Sequence, residues 1–185
     1  MSVEEIFKEG ITEVVVTTIS AKGKPNAAPM GVVRRGSRYF IRMFPDTRTL
    51  KNVEQTGYLV ANVTTDPMPY VLSAFIEIEP EDFVMEKDMT VPWLKGAAAW
   101  VYCRCQIGEA VEILPLRDTI VERRVPSFSR AFPAIIEATI VGTRMRFYKA
   151  DEGEKKIEAY DSIVRKCGNP REIEAMETLK KILNI

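Results

Sequence analysis

Phe44-Pro45-Asp46-Thr47-Arg48-Thr49-Leu50-Lys51-Asn52 is the stretch on which the fold turns, because it reads as the end of a strand running into the start of a helix. Pro45 has no N–H to give a sheet ladder, and Asp46 or Thr47 carries the short acceptor side chain of an N-cap, so the helix is expected to begin there. The first N–H groups of a helix have no partner inside it, and here Thr47, Arg48, Thr49 and Lys51 place two hydroxyls and two cations beside them. Oriented donors, the positive end of the helix dipole and nearby cations together make an anion site. The same residues also fit a plain surface helix capped by Asp46 with solvated basic side chains, and at this point both readings stay open.

Upstream, Ile11 to Ser20 is rich in Val, Ile and Thr and reads as a strand; Ala21-Lys-Gly-Lys24 turns it back into a second, Pro25 to Val33. Arg34-Arg-Gly-Ser37 gives the next turn, and Arg38 to Phe44 alternates as a third strand. Downstream, the helix runs from about Thr47 to Gln55, stops at Thr56-Gly57, and is followed by a strand at Tyr58 to Thr64. Short connections make this an antiparallel meander interrupted by one helix, a pattern that closes into a small barrel. Asp66-Pro-Met-Pro69 reads as a loop, Tyr70 to Ile76 as an apolar segment of undecided type, and Glu77 to Asp88 as an acidic surface segment. Ala97 to Leu114 reads either as one long strand bent at Gly108 or as two strands, completing the barrel.

After Pro115 the pattern becomes helical. Ser127 or Ser129 is placed to open a helix reaching Tyr148, with Pro133 in its first turn; Lys155 to Lys166 and Pro170 to Leu183 follow with apolar residues at helical spacing. The expected class is mainly β with α: a β-rich domain over residues 1–125, then a C-terminal helical segment over 126–185 packed on the barrel or on a partner chain.

Lys plus Arg equals Asp plus Glu at 26 each, so no overall field draws the chain to nucleic acid or to a membrane, and an anion must be caught locally. No apolar run approaches the roughly 18 to 20 residues that span a bilayer, and the acidic start is unlike a signal peptide. Three cysteines without a disulfide pattern fit a reducing cytoplasm; Cys103 and Cys105 share a strand face but cannot complete a zinc site without histidine, of which there is none. The lack of histidine also excludes Ser-His or Cys-His nucleophilic catalysis within the chain, so a bound cofactor is expected to carry any difficult chemistry.

Gly23-Lys-Pro-Asn-Ala-Ala-Pro-Met-Gly31, Arg38-Tyr-Phe-Ile-Arg42 and Thr47-Arg-Thr-Leu-Lys-Asn-Val53, in that order, resemble the first half of the split-barrel flavoproteins related to pyridoxamine-phosphate oxidase. Val53 stands where the superfamily has Leu, and Thr49 where Lys is frequent. The whole chain, including Ser129-Arg-Ala and Ile136-Glu-Ala-Thr139, is most similar to an uncharacterised archaeal family of that superfamily, a domain of unknown function thought to bind flavin nucleotide. The resemblance implies an antiparallel split β-barrel with bound FMN. It implies that Ala28, Pro29, Met30, Gly31 and Val32 pass beside the flavin ring, that Arg42 and Met43 contact it, and that Asn62 is a further ring contact. By the same resemblance Thr47, Arg48 and Thr49 hold the phosphate and Asn52 braces the loop. It also implies a homodimer with the flavin between subunits, for which Trp93, Trp100, Tyr102 and Arg130 are candidates for a second wall; core packing explains these aromatics equally well. Arg144, like Arg130, flanks the first tail helix and is a further candidate. The tail does not match pyridoxamine-phosphate oxidase itself, so that enzyme's substrate is not carried over.

The reading that follows is an FMN-binding protein acting as a flavin-dependent oxidoreductase, with substrate and electron donor open and no catalytic side chain identified. Its alternatives are a non-catalytic flavin-binding carrier or sensor, or a barrel that binds a deazaflavin or a haem.

Overall fold

The computed structural model describes residues 3–121, 129–149 and 151–185. A short helix, α1 (Val3–Ile6), leads into β1 (Gly10–Ile19), whose Val14 and Val16 face the barrel interior. β2 (Pro25–Arg35) returns antiparallel to β1 without a slip, from Gly10 opposite Arg34 to Ile19 opposite Pro25. β3 (Arg38–Ile41) is shorter than the expected strand to Phe44, because the chain leaves the sheet before Pro45 to form a turn. α2 (Arg48–Thr56) starts on Thr47 and ends on Gly57, which takes a left-handed φ of 77° and returns its N–H to Val53. β4 (Tyr58–Val63) follows directly.

The segment read as loop plus undecided residues is α3 (Met68–Phe75). Pro67 is its N-cap and Pro69 sits in its first turn, where a missing N–H costs nothing, and Asp66 accepts the Met68 N–H at 2.9 Å. Two short strands, β5 (Phe83–Val84) and β6 (Trp93–Leu94), pair with each other. The long stretch after them is two strands, β7 (Ala99–Gln106) and β8 (Val111–Ile120), with Gly108 in the turn between. β8 runs on past Pro115: the register slips there, Tyr102 facing Arg117 and Cys103 facing Pro115, so Leu116 is the extra residue of a bulge. A bulge is a place where a strand accommodates proline.

The six long strands close in the order β1-β2-β3-β8-β7-β4. Inside lie Val14, Val16, Val32, Ile41, Leu59, Val101 and Ile113, all essentially unexposed. Phe7 covers one end of the β1–β2 hairpin, where it packs on Tyr39 with ring centroids 5.6 Å apart and accepts from Arg34 at its carbonyl. α2 lies at the other end, where Asn52 donates to Thr18 at 3.0 Å and Gln55 accepts from the Ala21 N–H. Outside β4 and β7, the segment around β5 and β6 covers Val60, Trp100 and Tyr102, with Trp93 stacked on Trp100.

Contacts divide the chain into two units that are not consecutive in sequence: Met1–Thr65 with Glu77–Arg123, and Asp66–Ile76 with Arg124–Ile185. The second unit contains α3, α4 (Ala131–Thr143), α5 (Glu152–Cys167) and α6 (Pro170–Leu183). α4 ends at Thr143 rather than Tyr148, and a 3-10 turn takes Met145–Phe147. Ser129 accepts the Ala131 N–H at its start, whereas Ser127, the other expected cap, lies outside the described residues. α4 is apolar nearly all round, with Ile135 and Ala138 packed among Ile157, Val164, Met176 and Leu179 of α5 and α6.

Candidate functional site

The approach to α2 is a four-residue turn closed by the Thr47 N–H on the Phe44 carbonyl at 3.4 Å, with Pro45 second and Asp46 third in a left-handed conformation, φ 64°. Proline second and positive φ third is the type II pattern, which Asp tolerates. Asp46 is therefore the turn residue, and Thr47 is the cap: its Oγ1 accepts from the Leu50 N–H at 3.3 Å and donates to the Phe44 carbonyl at 2.8 Å.

Arg48 is exposed, and its Nη1 meets Glu77 Oε1 at 2.6 Å; Lys24 Nζ meets the other oxygen of the same carboxylate at 2.7 Å. The hydrogen bond from Lys24, then that from Arg48, holds the Glu77 carboxyl below its ordinary range. Thr49, read from the sequence as an exposed phosphate ligand, is only 2% exposed, and its Oγ1 accepts from Asn26 Nδ2 at 3.2 Å. The first turn of α2 thus gathers Thr47, Arg48 and Thr49 with Lys24 and Asn26 from the start of β2. Lys24, Asn26 and Glu77 are additions to the sequence-based set. The first two stood inside the Gly23–Gly31 motif, but nothing in the sequence ties Glu77 to residues 29 and 53 positions away.

β2 has an unusual edge. Its pairing with β3 runs only from Val32 opposite Ile41 to Arg35 opposite Arg38, so from Pro25 to Gly31 its sole strand partner among the described residues is β1. Backbone groups along a strand alternate sides, and a proline fits a paired strand where its nitrogen faces away from the partner. Pro25 and Pro29 accordingly face the open side, and with them the N–H and C=O of Ala27 and Gly31. Ala28, Met30 and Val32 turn their backbone groups to β1; Val32 is fully buried, and Met30 packs on the barrel core, as does Met43 beyond β3. No bulge marks Gly31. Its missing Cβ makes room for Ile11, whose Cγ2 would lie 2.9 Å from a Cβ built there. Arg42 is exposed, its guanidinium 5.3 Å over the ring of Phe44.

Asn62 is not part of this assembly. It is unexposed on β4; its amide donates to Val15 O at 2.8 Å and to Thr17 Oγ1 at 3.1 Å, and its Oδ1 accepts the Leu94 N–H at 2.8 Å. These bonds give Asn62 the work of fastening the outer cover to the barrel. Trp100 and Tyr102 are likewise buried in that cover, while Trp93 is half-buried and donates to Glu86 at 3.3 Å. Arg130 and Arg144 are exposed at the two ends of α4. Cys103 and Cys105 do share the interior face; burial pushes the Cys105 thiol up to about 12 and that of Cys103 up as well, so neither is a thiolate at neutral pH. Among the described residues no group of three or more metal-ligating acids or cysteines occurs, and no described helix is long and apolar enough to cross a membrane.

Comparison with known proteins places this geometry. An FMN-bound protein of Methanosarcina mazei superposes with a TM-score of 0.84 at 32% identity, over 95% of this chain and 96% of that one. An uncharacterised protein of Methanocaldococcus jannaschii is 23% identical over 196 residues, 95% of this chain and 99% of that protein. Flavoredoxin of Desulfovibrio vulgaris (Miyazaki F) matches with a TM-score of 0.52 at 12% identity, over 60% of this chain and 70% of that one, a likeness of fold alone. The family model described as "Protein of unknown function (DUF447) N-terminal domain" matches residues 12–125, and the model described as "Protein of unknown function (DUF447)" matches 129–181. Matched in both halves, the chain belongs to the DUF447 family, and its split barrel with helical C-terminal part has the fold of the Methanosarcina mazei protein.

Proposed function

We propose that this chain binds FMN, with the phosphate at the start of α2 and the ring along the open edge of β2, and acts as a flavin-dependent oxidoreductase in a homodimer. The observation that carries the reading is the adjacency of two features: a stretch of β2 from Pro25 to Gly31 whose side away from β1 has no strand partner among the described residues, and two cations, Lys24 and Arg48, at a helix start. A flat ring bearing donors and acceptors on one edge suits the first, and a phosphate monoester suits the second. The FMN bound by the Methanosarcina mazei protein, which matches nearly the whole chain, supports the same ligand.

Each residue then has a task. Arg48 and Lys24 neutralise the phosphate, and the Thr47 cap fixes the turn that presents the α2 N–H groups. Ala27 and Gly31 offer backbone donors and acceptors to the ring edge, while Met30 and Met43 supply an apolar floor. Bound flavin supplies hydride and electron transfer, which needs no histidine or thiolate from the chain. The exposed Phe44, carrying Arg42 on its face, supports a second subunit closing over the ring.

Titration with FMN, followed by quenching of flavin fluorescence, tests the assignment. Arg48→Ala removes a charge-assisted contact from an exposed side chain, so it should weaken FMN binding by about 10- to 100-fold while the circular dichroism stays unchanged. Thr49 is left alone because its replacement would disturb a buried hydrogen bond. Unchanged FMN affinity in the variant would overturn the phosphate assignment. Oxidised holoprotein mixed with NAD(P)H, and photoreduced holoprotein mixed with oxygen, then read the two redox half-reactions, and sedimentation reads the dimer.

A further inference from the structure

Strand alternation puts Arg35 of β2, Arg38 and Phe40 of β3, and Glu112 of β8 on the outward face of the barrel, with Arg42 two residues beyond Phe40 on the same side. The turn between β7 and β8 overhangs them, and together they border a cavity of about 830 Å3. That size lies in the range of small-molecule sites.

Its lining carries three arginines, Arg35, Arg38 and Arg42, against two carboxylates, Glu109 and Glu112, so one positive charge is in excess. Arg35 and Arg38 stand directly opposite each other in the β2–β3 register, and like charges in that position repel. Glu112 relieves one of them: its two oxygens accept from Nε and Nη2 of Arg38, both at 2.8 Å, and the guanidinium lies 4.8 Å over the ring of Phe40. Among the described residues neither Arg35 nor Arg42 has a carboxylate partner. Phe40, half-buried, and Ile107 of the overhanging turn, 52% exposed, give the lining an apolar part, beside which stand Gln106 and the exposed Glu109.

We propose that this concave face is a second ligand site, for a small organic anion: a carboxylate or phosphate ester attached to a flat apolar group. Arg35 and Arg42 hold the anion, and Phe40 and Ile107 contact the apolar part. An anion bound there offsets the cross-strand repulsion that the sequence leaves in place. None of Lys24, Thr47 or Arg48 lines the cavity, so the site is separate from the phosphate end proposed at the start of α2, although Arg42 also belongs to the surface proposed to face a second subunit.

Phenyl phosphate is a suitable probe, with inorganic phosphate as its comparison, titrated calorimetrically into full-length Lys24→Ala/Arg48→Ala protein so that the α2 cations take no part. Phenyl phosphate should bind that background more tightly than inorganic phosphate. Adding Arg35→Ala should weaken it about tenfold or more, and adding Phe40→Ala should erase most of the preference for the phenyl ester. No binding to the background, or equal binding with and without Arg35, overturns the proposal. So does a change in sedimentation on Arg35→Ala with no phenyl phosphate bound, which would make this face a contact between copies. FMN titration of Arg35→Ala runs in parallel: failure to bind FMN there counts against the α2 assignment and leaves the phenyl phosphate result standing.

Discussion

Glu77 decides what meets the two cations at the start of α2. Its carboxylate bridges Lys24 and Arg48, and its depressed pKa keeps it charged throughout the neutral range. A phosphate dianion arriving at Lys24 and Arg48 meets that carboxylate as a competitor, since both anions cannot occupy the same donors without repulsion. Glu77→Gln removes the competing charge while keeping the shape. The variant should bind FMN several-fold more tightly at pH 7 and bind riboflavin, which has no phosphate, as wild type does. Weaker FMN binding in the variant would instead show that Glu77 positions the cations. A pairing between residues 24, 48 and 77 is invisible in the sequence, because it depends on where the segment after α3 returns to the barrel.

At the scale of elements, the outer cover of the barrel hangs on a few buried polar groups. Asn62 ties β1, β4 and Leu94 together, and Thr17 donates to the Pro92 carbonyl at 2.5 Å. Asn62→Ala leaves the Leu94 N–H without its acceptor in a buried site, so it should cost about 1–3 kcal/mol in denaturant unfolding. FMN affinity, measured under conditions where the variant is folded, should not change; a selective loss of FMN binding would return Asn62 to the ring site. The sequence marked the residue but not its job, because a buried asparagine on a Val-rich strand serves a ligand and a scaffold equally well. The strands themselves were legible from β-branched alternation and turn glycines, α2 from its cap, and α6 from apolar residues at helical spacing. Three places were not: β3 stops early because the turn at Pro45 and Asp46 claims the chain, α3 hides behind Pro67 at its cap and Pro69 in its first turn, and β8 crosses Pro115 only by means of a bulge. Each is a case where backbone geometry overrides a residue preference.

The molecule as a whole has two cores with different reporters. Both tryptophans, Trp93 and Trp100, lie in the barrel unit, whereas α4, α5 and α6 dominate the helical signal. Ile135→Ala opens a cavity at an unexposed position in the middle of α4, so the far-ultraviolet dichroism transition should lose about 2–5 kcal/mol. Tryptophan fluorescence on the same samples reads whether the barrel melts with it, and an unmoved dichroism midpoint would contradict the burial of Ile135. The gap in the barrel wall has one more consequence. A bare β-edge ordinarily invites a neighbouring polypeptide to add itself as a strand, the first step of aggregation, yet Pro25 and Pro29 remove every second donor that such a guest would need. If the edge takes a flat heterocycle as proposed, the two prolines also make it a poor template for an added peptide strand, so the empty edge is guarded against clumping.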